Sequence, residues 1–169
     1  MRLFHLLLTV VVGAGAMAQD AKPAGPAAGV LSATEIQRLM PATVFFHGQS
    51  ASVQMRNSFG VRLPKGGLVL AGLVDTGGYS TALRDKYQFY LLTDTAVELA
   101  DRKISPGSYG CGFVEGKLVV MDLGGNELYR AVIAHDESMV RPRPLQIVVG
   151  KAVEEFRLYL GRDYVVLRP

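Results

Sequence analysis

The feature that most constrains this chain is the rhythm of its turns. From Thr43 to the C-terminus, short apolar or alternating segments are broken by Gly, Pro, Asn or Asp. The breaks come roughly every 8–12 residues, the spacing of a sandwich or barrel and too short for strand–helix–strand units. Thr43 to His47 carries Val44, Phe45 and Phe46, and Val53, Met55 and Asn57 alternate with Gln54, Arg56 and Ser58. Gly67 to Val74 is apolar at nearly every position, the pattern of a central strand covered on both faces. Lys86 to Thr93 alternates around Tyr87, Phe89 and Leu91, and Ser108 to Val114 sets Tyr109, Cys111 and Phe113 opposite Gly110 and Gly112. Glu115-Gly116 and Gly124-Gly125-Asn126 read as turns flanking Lys117–Leu123, with Leu128–His135 after them. Leu145–Val149, Glu154–Leu160 and Tyr164–Arg168 complete an all-β set of about nine or ten short antiparallel strands in a sandwich or barrel.

One helix precedes them. Ser32-Ala33-Thr34-Glu35 is a capping box, in which a hydroxyl and a Glu three residues later satisfy each other's backbone N–H. Ile36, Leu39 and Met40 follow on one face, and Pro41 ends the helix, so the expected span is 32–40. Before it, residues 19–31 are Ala-, Pro- and Gly-rich and read as a flexible tether. Residues 1–18 have the form of a secretory leader: Arg2, the apolar run Leu6–Val12, and small residues at Ala16 and Ala18. That run is too short to span a bilayer, and no later stretch is long and apolar enough. The expected product is an exported, periplasmic or extracellular single domain over 32–169.

Charge and cysteine content remove several function classes. Loss of the leader leaves 17 basic and 15 acidic side chains, too even a balance for nucleic-acid binding. The lone Cys111 excludes an internal disulfide or a multi-Cys zinc site, and reads as a buried core residue. His47 and His135 stand far apart without carboxylates at ligand spacing, so no metal and no cofactor are expected. Ser80 and Ser138 lack a nucleophile-elbow context, and the paired glycines precede no helix that could cradle phosphate.

One motif points toward catalysis. Leu73-Val74-Asp75-Thr76-Gly77 resembles the catalytic loop of retropepsin-type aspartic proteases, and Leu158-Tyr159-Leu160-Gly161-Arg162-Asp163 resembles a later segment of that family. The resemblance implies a homodimer in which two copies of Asp75 share a proton and activate water, with Thr76 and Gly77 holding the carboxylates. The chain departs from the family pattern at Gly78-Tyr79, and in the β-rich Tyr164–Pro169 where the family has a helix. An Asx-turn at Asp75 and a hairpin turning at Gly161-Arg162-Asp163 account for the same residues without chemistry.

The remaining candidates suit binding. Seven Tyr and no Trp stand in a β domain, and Tyr79, Tyr87 and Tyr109 are candidate stacking residues. The Gly110/Gly112 face would leave room for a flat ligand beside them. Arg141-Pro142-Arg143-Pro144 presents Arg141 and Arg143 on an extended connection suited to anions. Gln54 and Arg56 share one strand face as a hydrogen-bonding platform, with Asn57 on the other. The sequence reading is therefore a non-catalytic binding module for a ligand or an envelope partner, with the Asp75 protease as the alternative. A structural envelope subunit pairing through a sheet edge is a third class.

Overall fold

The computed structural model describes residues 27–169. The leader at 1–18 and residues 19–26 of the tether lie outside the described residues. Two antiparallel sheets form a sandwich-like, all-β architecture. The first half of the chain supplies β1 (Gly29–Val30), α1 (Ala33–Leu39), β2 (Thr43–Phe46), β3 (Gln49–Arg62), β4 (Leu68–Val74), α2 (Thr81–Arg84) and β5 (Phe89–Thr93). The hairpin β6 (Val97–Leu99) and β7 (Arg102–Ile104) comes next, then β8 (Gly107–Val114), β9 (Lys117–Met121) and β10 (Glu127–Val132). Last come β11 (Ala134–His135), β12 (Arg143–Val149), β13 (Phe156–Gly161) and β14 (Asp163–Arg168). The larger sheet runs β1-β3-β4-β5-β8-β9-β10 with β2 added on β3; the smaller runs β12-β13-β14-β6-β7 with β11 added on β14.

Strand alternation sorts side chains into two cores. Val69 and Ala71 of β4, Phe89 and Leu91 of β5, Cys111 of β8 and Val120 of β9 face the smaller sheet, meeting Leu145, Leu158 and Leu167. Their sequence neighbours Leu70, Tyr90, Val119 and Met121 face the opposite way, under α1, β2 and the 79–87 segment. The central strands β4, β5, β8 and β9 of the larger sheet are therefore buried on both faces, as the unbroken apolar run of β4 requires.

Helix α1 is capped as its sequence directs: the Glu35 N–H donates to Ser32 Oγ at 3.3 Å, and the Ser32 N–H to Glu35 Oε2 at 2.9 Å. Ile36 and Met40, four residues apart, bury against the sheet, while Leu39 falls off that face and stays exposed. At the other end of the chain, β13 and β14 form the expected hairpin, with Leu160 opposite Asp163 and Gly161 at φ 67°.

Several boundaries differ from the sequence reading. The tether does not run to residue 31, because Gly29 and Val30 pair with Arg62 and Val61 and Leu31 is buried. The expected strand from Lys86 starts at Phe89, since the one-turn helix α2 continues in a turn to Tyr87, whose N–H donates to Leu83 O. Tyr87 thus leaves the alternation of Phe89 and Leu91 and enters the opposite core. The β6–β7 hairpin turns on Ala100 and Asp101, both at positive φ, without the Gly that marks such turns in sequence. The expected strand Leu128–His135 divides at Ile133, β10 staying with one sheet and β11 joining the other.

Candidate functional site

The site begins with an irregularity in β3. Val53 pairs with Val74 and Ser58 with Gly72, so five steps along β3 match two along β4 and the surplus residues bulge outward. Ser58 Oγ donates to Gln54 O at 3.0 Å, and Asn57 Nδ2 donates to Gln54 Oε1 at 2.9 Å, closing the bulge on itself. Asn57 therefore sits beside Gln54, not on the opposite face, because alternation fails inside a bulge. Arg56 is carried out to an exposed position.

Next to this bulge the two sheets part, leaving a groove of about 610 Å3. Met55, Arg56, Ser58 and Phe59 of β3 line one side. Val30, Leu31, Ala33, Ile36 and Gln37 bring in β1 and α1, and Arg143, Gln146, Ile147 and Val148 bring in β12. Arg143 belongs to β12 and not to a free connection; its guanidinium lies 6.0 Å from the Phe59 ring centroid, within cation–π range. The register of β12 against β13 slips between Arg143 and Gln146, a second bulge on the groove wall.

The electrostatics of the groove are one-sided. Two arginines are among its lining residues and no Asp or Glu is. Among the described residues neither Arg56 nor Arg143 joins an ion pair. The acid on α1, Glu35, is turned to Arg62 at 3.7 Å, and the Ser32 backbone N–H holds its carboxyl below the ordinary value.

The other residues singled out from sequence lie elsewhere. Tyr79, Tyr87 and Tyr109 are core residues, 6%, 0% and 9% exposed, so they offer no stacking surface. The Tyr79 hydroxyl donates to Phe46 O at 3.0 Å, and that of Tyr109 to Ser105 O at 2.8 Å. Tyr87 stacks on Phe46 at 4.0 Å between centroids and leaves its hydroxyl without a partner; burial, with Tyr79 adding to it, pushes its ionisation far up. The Gly110/Gly112 face holds no space for a ligand, because the Phe46 ring packs on Gly110 and the Lys86 carbonyl on Gly112. Gln54 and Arg141 are exposed but outside the groove lining.

Asp75 is exposed at the end of β4. Its Oδ1 accepts the Gly77 N–H at 3.1 Å, and the Tyr79 N–H donates to Thr76 O, the geometry of an Asx-turn leading into a further turn. His135 Nδ1 meets Asp163 Oδ1 at 2.6 Å as an exposed cross-strand pair, while Ser138 Oγ donates to Asp136. His47 Nδ1 lies 2.7 Å from Gly124 O. Cys111 is fully buried, which pushes its thiol up. Among the described residues no three His, Cys, Asp or Glu side chains gather as a metal-ligand set, and no helix is long and apolar enough to cross a membrane.

Sequence reading had marked Arg56 and Arg143 separately but missed Gln37, Phe59 and Gln146. For Gln37 and Gln146 the only local signal is polarity at the edge of an apolar helix or strand pattern, Phe59 reads as one more core-facing aromatic, and nothing local says that three distant elements converge. Set against known proteins, the chain matches no family model, no curated protein and no solved structure. The fold and site together define a two-sheet β domain with a cationic, largely apolar side groove.

Proposed function

We propose that this protein is an exported, non-catalytic binding module that holds an anionic ligand in the groove between α1, β1 and β12. The observation that carries the reading is the pair Arg56 and Arg143, brought together from residues 87 positions apart onto one groove without a carboxylate. A guanidinium presents a planar fork of donors that matches carboxylate, phosphate or sulfate oxygens. Charge that no protein group balances favours binding such an anion. Export rests on the leader-like residues 1–18. The retropepsin-like alternative has no support beyond its two short segments, residues 73–77 and 158–163, which fold as an Asx-turn and a hairpin.

Anilinonaphthalene sulfonate, an apolar ring system with one anionic group, tests the reading by fluorescence titration. Saturable binding to the folded protein is expected. Arg56→Ala and Arg143→Ala should each weaken it about tenfold, on the scale of a charge-assisted hydrogen bond. Arg141→Ala, outside the groove, should leave it unchanged. Equal binding by the wild type and the Arg56→Ala/Arg143→Ala double variant would overturn the proposal.

A further inference from the structure

Resting on that reading, we propose that the natural ligand is an anion borne on a single acyl chain, its head on Arg56 and Arg143 and its tail along the seam between the two cores. The apolar lining comes from both cores at once: Ile36 belongs to the core beneath the helix and Ile147 to the core between the sheets. Met55 packs on the first of these cores and Phe59 on the second. The groove is thus lined by residues of both hydrophobic interiors. A volume of about 610 Å3 falls within the range of small-molecule sites. Head and tail positions adjoin because Arg143 lies over the Phe59 ring, leaving its outer donors for an anion while the ring faces a hydrocarbon.

An extended peptide would add to a sheet edge, and both edges beside the groove are poor templates. β12 carries Pro144, which has no N–H, inside the bulge between Arg143 and Gln146. β1 is only two residues long and begins at Gly29, whose φ of 140° departs from regular strand geometry. Sheet edges with a bulge, a proline and so short a strand are those least able to recruit another chain. Side chains therefore carry the recognition, and these side chains offer two cations beside a largely apolar groove.

The test is calorimetric titration of the purified protein with octanoate, decanoate and dodecanoate, each below its micelle concentration. Burial of a methylene predicts about a fourfold gain in affinity per added CH2 until the groove is filled. Dodecanol, with the same tail and no charge, should bind at least tenfold more weakly, and Val148→Asp, which sets a carboxylate on the groove wall, should abolish dodecanoate binding. Dodecanoate and lysophosphatidylglycerol below its micelle concentration, each with one acyl chain, separate the two sources of such a ligand, free acid and membrane lipid; binding of either with the same Arg56 and Arg143 dependence supports the chemistry. Acetate and dodecanoate binding equally would overturn the acyl inference and leave the anion site standing. Arginine-dependent binding of an acidic peptide with no response to acyl chains would replace it with a peptide partner. Failure of every anion, anilinonaphthalene sulfonate included, would overturn both proposals.

Discussion

Gly110→Ala probes the packing that closes the second face of the larger sheet. A Cβ at Gly110 would come within 2.5 Å of Phe46 Cζ, about 1 Å short of ordinary carbon–carbon contact. Gly110 is not among the positive-φ residues, so alanine fits the backbone and the conflict is purely steric. Phe46 has little freedom to retreat: it is fully buried, stacked on Tyr87 at 4.0 Å and edge-on to Tyr79 at 6.3 Å. Overpacking of a close-packed core costs about 1–3 kcal/mol. Loss of glycine's freedom in the unfolded chain returns about 0.4–1 kcal/mol. The net expectation is destabilisation by about 1–2 kcal/mol, and with an m-value of about 2 kcal/mol/M the urea midpoint falls by about 0.5–1 M. Phe46→Leu should relieve the clash, so the double variant should be less destabilised than the two single variants summed, with a coupling of at least about 0.5 kcal/mol. Gly112→Ala should resist such rescue, because its Cβ would meet the Lys86 carbonyl, a backbone group that side-chain trimming cannot move. An unchanged midpoint in Gly110→Ala, or strict additivity with Phe46→Leu, would refute the reasoning and reopen that face as a cavity.

Other expectations follow from buried groups and from the Asp75 turn. Tyr87→Phe removes a buried hydroxyl that has no partner, so it should be neutral to stabilising, by up to about 1 kcal/mol in urea unfolding, and a loss of stability would show that the hydroxyl is satisfied. Burial raises the ionisation of Cys111 and Tyr87 above their ordinary values of 9.0 and 10.0, so in alkali the unfolded chain loses these protons first. Stability should hold below about pH 9 and then fall, with a slope approaching about 1.4 kcal/mol per pH unit per group. A urea midpoint constant from pH 8 to about pH 11 would contradict this. Asp75→Asn keeps the oxygen that accepts the Gly77 N–H, so its unfolding free energy should stay within about 0.5 kcal/mol of wild type. Wild type and variant should be equally inactive on an unstructured peptide mixture from about pH 4 to 7; cleavage lost only in the variant would establish a catalytic carboxylate.

Much of the architecture is local physics written in order. Alternation along β4, β8 and β9 tells which side chains part to opposite faces, the capping box starts α1, and Gly161 turns the last hairpin. These features need only backbone stereochemistry and the distribution of apolar residues over a few positions. Sequence reading stopped where backbone geometry came from contacts instead of composition. Ala100-Asp101 turns a hairpin because the flanking strands pair, and α2 delays β5 because Tyr87 is drawn into the core with Phe46 and Tyr79.

The candidate site lies mostly on the tertiary side of that line. The types of residue were legible, since Arg56 stood out on a strand face and Arg143 on an extended connection, but so did Arg141, which the groove does not include. Tyr79, Tyr87 and Tyr109 show the opposite failure, because a tyrosine's side of the sheet is readable while what covers that side is not. Phe46, more than 60 positions before Gly110, fills the space that the glycines alone seemed to leave open. By itself the sequence determined most of the longer strands, the faces along β4, β8 and β9, and the capped helix, because these depend on neighbours in the chain. Only the tertiary structure decided which face is filled and which seam stays open, because those depend on the meeting of β3, α1 and β12, segments that no local pattern connects.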